Sequence, residues 1–104
     1  MSARSQSSIR WRPGLSLDID PDSDVRYTWH WDDRIPAGEN IVSYEFLVEG
    51  VGEVISTARE GMAVMGLIRG VPKGARTRIT CRVVTDGIPP ERLDRSVLFV
   101  GRHS

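Results

Sequence analysis

One segment near the start of the chain reads Asp20-Pro21-Asp22-Ser23-Asp24-Val25-Arg26-Tyr27-Thr28-Trp29-His30-Trp31. It joins an acidic, proline-containing turn to a run in which apolar and polar residues alternate. Successive side chains of a β-strand point to opposite faces, so this alternation separates the run into two faces. One face holds Val25, Tyr27, Trp29 and Trp31, and the other holds Arg26, Thr28, His30 and Asp32. The segment predicts a strand with its aromatic face in a core and its polar face in water.

Short runs of the same kind lie on both sides of this segment. Seven of them occupy residues 15–19, 25–31, 41–48, 54–57, 63–68, 77–85 and 95–100. Turn residues separate them at intervals of about 8–12 residues, as in sandwiches and barrels. The one helix candidate, residues 57–64, contains Gly61, which disfavours a helix. We therefore predict an all-β protein, a single antiparallel β-sandwich of about seven strands similar to immunoglobulin and fibronectin type III modules, with a partly closed barrel as the alternative.

Five aromatic residues define the predicted core. They are Tyr27, Trp29 and Trp31 on the second run and Tyr44 and Phe46 on the third. Alternation in residues 41–48 places Val42 and Val48 on the same inner face as the last two. Aromatic side chains bury large areas, so we expect this row to fill the space between two sheets.

Residues 1–14 differ from the rest of the chain because they are rich in Ser and Arg, lack alternation and end at Pro13-Gly14. This composition predicts a flexible N-terminal arm, followed by a sandwich domain over residues 15–101 and a tail over residues 102–104. The arm contains Ile9, Arg10, Trp11 and Arg12. An exposed tryptophan is costly unless something covers it. Either the arm packs back on its own domain, or these four residues form an interface with a neighbouring subunit.

Composition excludes some classes of partner. Fourteen Lys and Arg residues balance fourteen Asp and Glu residues, so no net charge attracts the 104-residue chain to nucleic acid or to an anionic membrane. The polar N-terminus does not resemble a secretion signal, and the longest apolar run, residues 62–68, is too short to cross a bilayer. Cys81 alternates with Ile79 and Val83, which predicts a buried, unreactive side chain. We expect a soluble, single-domain protein made in a reducing compartment.

Acidic residues at alternate positions, Asp18 to Asp24, suggest a calcium site, since Ca²⁺ prefers six to eight oxygen ligands. The spacing does not fit an EF-hand loop, because Ser23 occupies its glycine position and Trp29 its bidentate-glutamate position. We predict no metal site, so the second of two interpretations is the one adopted. One is an irregular site formed by Asp22 and Asp24 with Asp32 or Asp33, and the other is a solvated turn in which Asp20 and Asp22 cap backbone amides.

Candidate catalytic groups are few. A nucleophilic mechanism needs a base beside Ser or Cys, and the chain offers only His30 on a polar strand face and His103 near its end. We predict no catalytic residues, no cofactor and no enzyme activity. Arg76, Arg78 and Arg82 line one side of a strand, but acids such as Glu45 are available to pair with them. We interpret them as a solvated face and expect no nucleic-acid partner.

Several motifs together resemble a family of short phage virion proteins, described as fibre–tail adaptors or as phage structural proteins. That family has a Lys-Asp-Pro-Asp turn followed by Asp-Tyr-x-Ile-Asp-Trp. Here Asp20-Pro21-Asp22 is similar to the turn, and Tyr27 and Trp31 keep the separation of the aromatic pair. Residues 79–87 resemble its alternating segment, and residues 91–100, with Asp94-Arg95-Ser96, resemble its closing strand. The chain departs from the pattern at Ile19, Arg26 and His30, and residues 88–90 look like an insertion.

The resemblance implies a non-enzymatic structural component of a tailed-phage virion, an adaptor that links tail or tube proteins to fibres or adjacent rings. Its partners would be tail, portal-proximal or fibre proteins in a multi-copy assembly, and it would be made in the host cytoplasm and located in the virion. A head decoration protein bound to capsid protein is the alternative within this class. An alternative of another class is a carbohydrate- or host-surface-binding module, which requires Trp29 or Trp31 to point outward.

Overall fold

The computed structural model describes residues 6–103, and these residues form eight β-strands. The strands are β1 (Gln6–Ile9), β2 (Ser16–Ile19), β3 (Val25–His30), β4 (Ile41–Glu49), β5 (Glu53–Glu60), β6 (Ala63–Arg69), β7 (Arg76–Thr85) and β8 (Arg92–Gly101). No helix occurs among the described residues, so the predicted all-β class is confirmed. In residues 6–103 no helix has the length and apolar character needed to span a membrane.

The strands form two four-stranded sheets, in the orders β1-β3-β6-β5 and β2-β8-β7-β4. Aromatic side chains from the two sheets meet between them. The ring centroids of Tyr27 on β3 and Phe99 on β8 are 4.8 Å apart. The predicted sandwich is therefore confirmed. The expectation of antiparallel pairing alone needs correction, since β1 runs parallel to β3 and β2 runs parallel to β8. The closer likeness to immunoglobulin or fibronectin type III topology stays a prediction.

The predicted aromatic row lies where the alternation places it. Tyr27, Trp29 and Trp31 are buried, but Thr28 on the opposite face, which was expected in water, is buried as well. Trp29 packs edge-on against Phe46, with 5.2 Å between ring centroids. Tyr44 and Phe46 are half-buried and pack against the core from the edge strand β4. Burial of this row supplies the apolar area that holds the two sheets together.

Strand β4 corrects one detail of the predicted core. A β-bulge between Ile41 and Ser43 inserts Val42 as an extra residue in the pairing with β7. The bulge shifts the alternation by one position, so Ile41 is buried and Val42 is 60% exposed. Val48 continues the inner row but lies near the end of an edge strand, and it is 36% exposed.

The arm also differs from the expected flexible segment within its described residues. Gln6–Ile9 forms β1 and pairs in parallel with β3 in the register Ile9↔Trp29. Ile9 is buried in the core. Pairing with β3 satisfies the backbone groups of β1 that face β3, and burial of Ile9 offsets the entropy lost on ordering the segment. The expectation for residues 1–5 lies outside the part of the chain that the structure describes.

Candidate protein-binding surfaces at one end of the sandwich

One end of the sandwich is organised around Arg95. Arg95 lies on the inner face of β8, two positions before Val97, and its side chain is buried. A buried guanidinium needs hydrogen-bond acceptors. Arg95 donates to both carboxylate oxygens of Asp33, at 3.0 and 3.2 Å, and to the carbonyl oxygen of His30 at 2.9 Å. The planar fork of arginine suits this bidentate contact.

Two tryptophans enclose the same guanidinium. Its central carbon lies 4.8 Å from the centre of the Trp11 ring and 4.7 Å from the centre of the Trp31 ring. Both distances are in the range of cation–π interactions. The Trp11 indole N–H donates to the carbonyl oxygen of Ser96 at 2.9 Å. We call Trp11, Trp31, Asp33 and Arg95 the Arg95 cluster, and it fixes the arm to β8 and to the loop after β3.

Electrostatics in the Arg95 cluster favour the ionised form of Asp33. The hydrogen bonds from Arg95 hold the pKa of this carboxyl below its usual value. The Asp33 side chain is exposed, so its carboxylate is solvated by water as well as by its hydrogen bonds to Arg95. The cluster is therefore a buried cation with a partner at the surface, which avoids the cost of burying both charges.

A groove of about 530 Å³ opens beside the Arg95 cluster. Its lining includes Arg10, His30 and Asp32, which are exposed, together with Ile9 and Trp11. His30 Nε2 lies 3.2 Å from the Ser8 hydroxyl, so the groove wall is tied to β1. Charged side chains of both signs therefore line this groove together with two apolar ones.

The structure divides the four predicted interface residues. Ile9 is in the core and Trp11 is half-buried against its own domain, whereas Arg10 and Arg12 are exposed. The arm thus takes the first of the two alternatives, packing on its own chain, at Ile9 and Trp11. Partner contact at this segment stays a prediction, and it falls on the two arginines and the open face of Trp11.

The hairpin loop between β7 and β8, residues 86–91, lies at the same end and is here called the tip loop. Its base is closed by two bonds, since the Thr85 N–H donates to the Glu91 carbonyl and the Glu91 N–H donates to the Thr85 hydroxyl. Asp86 and Asn40 exchange two further bonds that join the tip loop to the loop before β4. Ile88 is fully exposed on this base.

Sequence reasoning did not identify Arg95 or Ile88 as site residues. Arg95 occupies an apolar row with Val97 and Phe99, and a charge in such a row is a signal of a buried, paired arginine. Ile88 stands before two prolines in a segment that looked inserted. Neither signal shows which residues Arg95 or the tip loop contacts, because those residues come from distant parts of the chain.

The acidic turn before β3 forms the expected backbone cap at Asp20, whereas the Asp22 carboxylate lies beside His103. The Asp22 N–H donates to Asp20 Oδ1 at 2.9 Å. His103 Nδ1 lies 3.7 Å from Asp20 and 3.5 Å from Asp22, and one ligand atom from each of these three could meet at a cation. The irregular site that joins Asp24 to Asp32 or Asp33 does not form, because the six residues of β3 separate the two groups by about 20 Å.

Two other candidate groups have structural roles. Burial raises the pKa of the Cys81 thiol to about 12, so the thiolate is disfavoured at neutral pH. On the outer face of the β7 sheet, Arg82 forms a two-bond contact with Asp94 and lies 3.7 Å from Glu45, while Arg78 pairs with Glu49. These arginines form the cross-strand pairs that the sequence suggested.

Trp29 and Trp31 offer no flat outer surface, since both rings are buried.

Comparison of the chain with protein-family models, with curated proteins and with solved structures found no match.

Proposed function

We propose that this chain is a non-enzymatic structural component of a tailed-phage virion, an adaptor that joins tail or tube proteins to fibres or adjacent rings. The contact surface would be the end of the sandwich that carries the Arg95 cluster and the tip loop. The resemblance of several sequence motifs to those of phage virion proteins supports the virion setting. The exposed residues at this end support the mode of contact.

The fully exposed Ile88 is the observation that carries the proposal. It precedes Pro89 and Pro90, which are also exposed, and the base of the loop is closed by backbone and hydroxyl hydrogen bonds. A constrained loop loses little entropy on binding. An apolar side chain held out in this way can enter a pocket on a partner and supply a central contact.

The charges around this end would set specificity. Arg34 pairs with Glu91 at 3.6 Å, and both side chains are about half exposed. Arg10 and Asp32 line the neighbouring groove. Such charges at the rim contribute mainly to partner choice and association rate. The burial of Trp29 and Trp31 removes the aromatic platform that the carbohydrate-binding alternative requires.

Localisation in purified particles tests this function. Immunogold labelling should place the chain on the tail, and quantitative mass spectrometry should find the few copies of a ring. Hundreds of copies on the head would identify a decoration protein instead. Absence of the chain from particles would reject any virion role.

A matched pair of variants tests the contact surface. Ile88→Asp should fold normally and fail to enter particles, because a charge replaces the exposed apolar anchor. Val51→Asp changes an equally apolar residue that is 62% exposed in the turn after β4, at the opposite end of the sandwich, and should assemble normally. Normal incorporation of the Ile88 variant would contradict the proposed surface.

A further inference from the structure

The four edge strands of the sandwich are unequal. β1 and β2 have four residues each, and β5 is interrupted by a bulge between Val54 and Ser56. β4 has nine residues, and its bulge lies at the beginning, so pairing with β7 is regular from Ser43 to Glu49. Short strands and bulges protect sheet edges from further pairing. The edge of β4 from Ser43 to Glu49 is the longest regular edge among the described strands.

The inner row along this edge is incompletely covered. Tyr44 and Phe46 are half-buried, and Val48 is 36% exposed. Tyr44 reaches across to β5, where its hydroxyl lies 3.3 Å from that of Thr57. An additional strand beside β4 would bury the open sides of these residues, in the way that β7 buries their other sides.

The outer row shows which charge such a strand would carry. Asp94, Arg82 and Glu45 lie directly opposite one another on β8, β7 and β4, so the charges alternate in sign across the sheet. Four residues along the same two strands, Arg78 of β7 lies opposite Glu49 of β4 and pairs with it. Both series end on exposed glutamates at the open edge. The next position in each series is suited to a basic residue.

We propose that the edge of β4 from Ser43 to Glu49 binds a fifth strand donated by a partner protein. The strand carries basic residues opposite Glu45 and Glu49 and apolar residues opposite Tyr44, Phe46 and Val48. Backbone hydrogen bonds give affinity in this mode of recognition, and alternate side chains give specificity. The inference rests on the proposed function only in taking the partner to be another protein of the same assembly.

A second copy of the chain fits this edge less well. β4 contains no basic residue, so no register of two paired β4 strands places a cation opposite Glu45 or Glu49. With Tyr44 opposite Phe46 about a two-fold axis, the two Glu45 side chains lie opposite each other. Like charges directly opposite on a sheet are destabilising. The outer row therefore favours a different, basic strand over self-association.

The sequence of β7 supplies a probe for the edge. On the side of β4 that is already paired, Arg78 and Arg82 lie opposite Glu49 and Glu45, with Ile79 and Cys81 opposite Val48 and Phe46. A synthetic peptide of residues 76–85 with Cys81→Ala keeps this pattern without a reactive thiol. The matched control peptide carries Arg78→Glu and Arg82→Glu as well.

Binding of the two fluorescein-labelled peptides to the full chain is measured by fluorescence anisotropy, and the bound region is mapped by amide NMR shifts. The basic peptide should bind, the acidic control should not, and the shifts should lie on Ser43–Glu49. The double variant E45K/E49K should weaken binding by about tenfold. The matched variant E53K/E60K, on the β5 edge, should leave it unchanged.

Val48→Lys is a second test that keeps both glutamates. It places a charge in the inner row at the edge and should reduce peptide binding while the far-UV spectrum stays native. No binding by the folded chain, shifts on β5, or a dimer that the peptide dissociates would each overturn the proposal. Because the peptide assay does not use particles, the edge can fail this test while the virion role is retained.

Discussion

Arg95 joins three separate parts of the chain through one side chain. Arg95 lies on β8. Its guanidinium binds Asp33 in the loop after β3 and stacks against the Trp11 ring of the arm. A lysine keeps the charge but has neither the fork nor the flat surface. The chemistry of the cluster therefore depends on arginine itself.

Arg95→Lys should lower the free energy of unfolding by about 2 kcal/mol, because the bidentate contact and the stacking are both lost. Urea unfolding followed by tryptophan fluorescence measures the change. Arg92→Lys, at an exposed position of the same strand, is the control and should change stability by less than about 0.5 kcal/mol. Equal stabilities of the two variants would contradict the assigned role.

Asp33 should make stability depend on pH. Its folded-state pKa lies below the ordinary value of 3.8, so the unfolded chain binds more protons as the pH falls. The contribution of Asp33 to the free energy of unfolding is thus fully present above the ordinary pKa of 3.8. It is lost as the pH falls through the lower folded-state pKa. Asp33→Asn should be less stable than the parent chain at pH 7, and the difference should shrink at pH 3.

Urea unfolding at the two pH values measures this difference. Asp32→Asn, which removes the adjacent exposed carboxylate, controls for loss of one negative charge at the same place. A difference for Asp33→Asn that stays constant from pH 7 to pH 3 would mean that its ionisation is not linked to folding.

The end of β8 depends on a close backbone approach. Gly101 is buried, its N–H donates to the Ala75 carbonyl at 3.0 Å, and its carbonyl accepts from the Gly74 N–H at 2.9 Å. The loop between β6 and β7 therefore lies directly against this position. A Cβ here would overlap the carbonyl oxygen of Pro72, which is backbone and cannot rotate away.

Gly101→Ala should destabilise the protein by about 3 kcal/mol, since the loop must shift to admit a methyl group. Gly87→Ala is the matched control, because the atoms that its Cβ would meet belong to the flexible side chain of Glu39. Thermal unfolding of the two variants compares them. A melting temperature for Gly101→Ala equal to that of the control would show that the loop yields easily.

The molecule as a whole is closed at one end by the arm. β1 extends the sheet of β3, while Trp11 crosses to the other sheet through the Ser96 carbonyl. The arm therefore links both sheets, although its own strand has only four residues. Short edge strands are usually the first parts of a fold to open.

Trp11→Ala should lower stability by about 2 kcal/mol, roughly half the cost of removing a fully buried tryptophan, and should release β1 before the rest of the sandwich. Hydrogen exchange should then accelerate at Ser8 and Ile9 but not in β7. Arg12→Ala, at the next exposed residue, is the control. Unchanged exchange in β1 would show that its pairing with β3 suffices to hold it.

Local pattern determined much of this protein. Alternation in residues 25–31 and 77–85 predicted two central strands and their buried faces, because the period of a strand is a property of a few neighbouring residues. The acidic turn and the burial of Cys81 followed from equally local signals. The same reasoning failed at Val42, since a bulge is defined by the partner strand as well as by its own sequence.

Only the tertiary structure decided the pairing of β1, the two parallel edges and the Arg95 cluster. Asp33 and Arg95 are 62 positions apart, and Trp11 and Ser96 are 85 positions apart. No local period relates such residues, because their meeting depends on how the two sheets stack and which strands become neighbours. The sequence alone thus established seven of the eight described strands and the inner face of most of them, whereas packing established which charges, edges and loops are available to a partner.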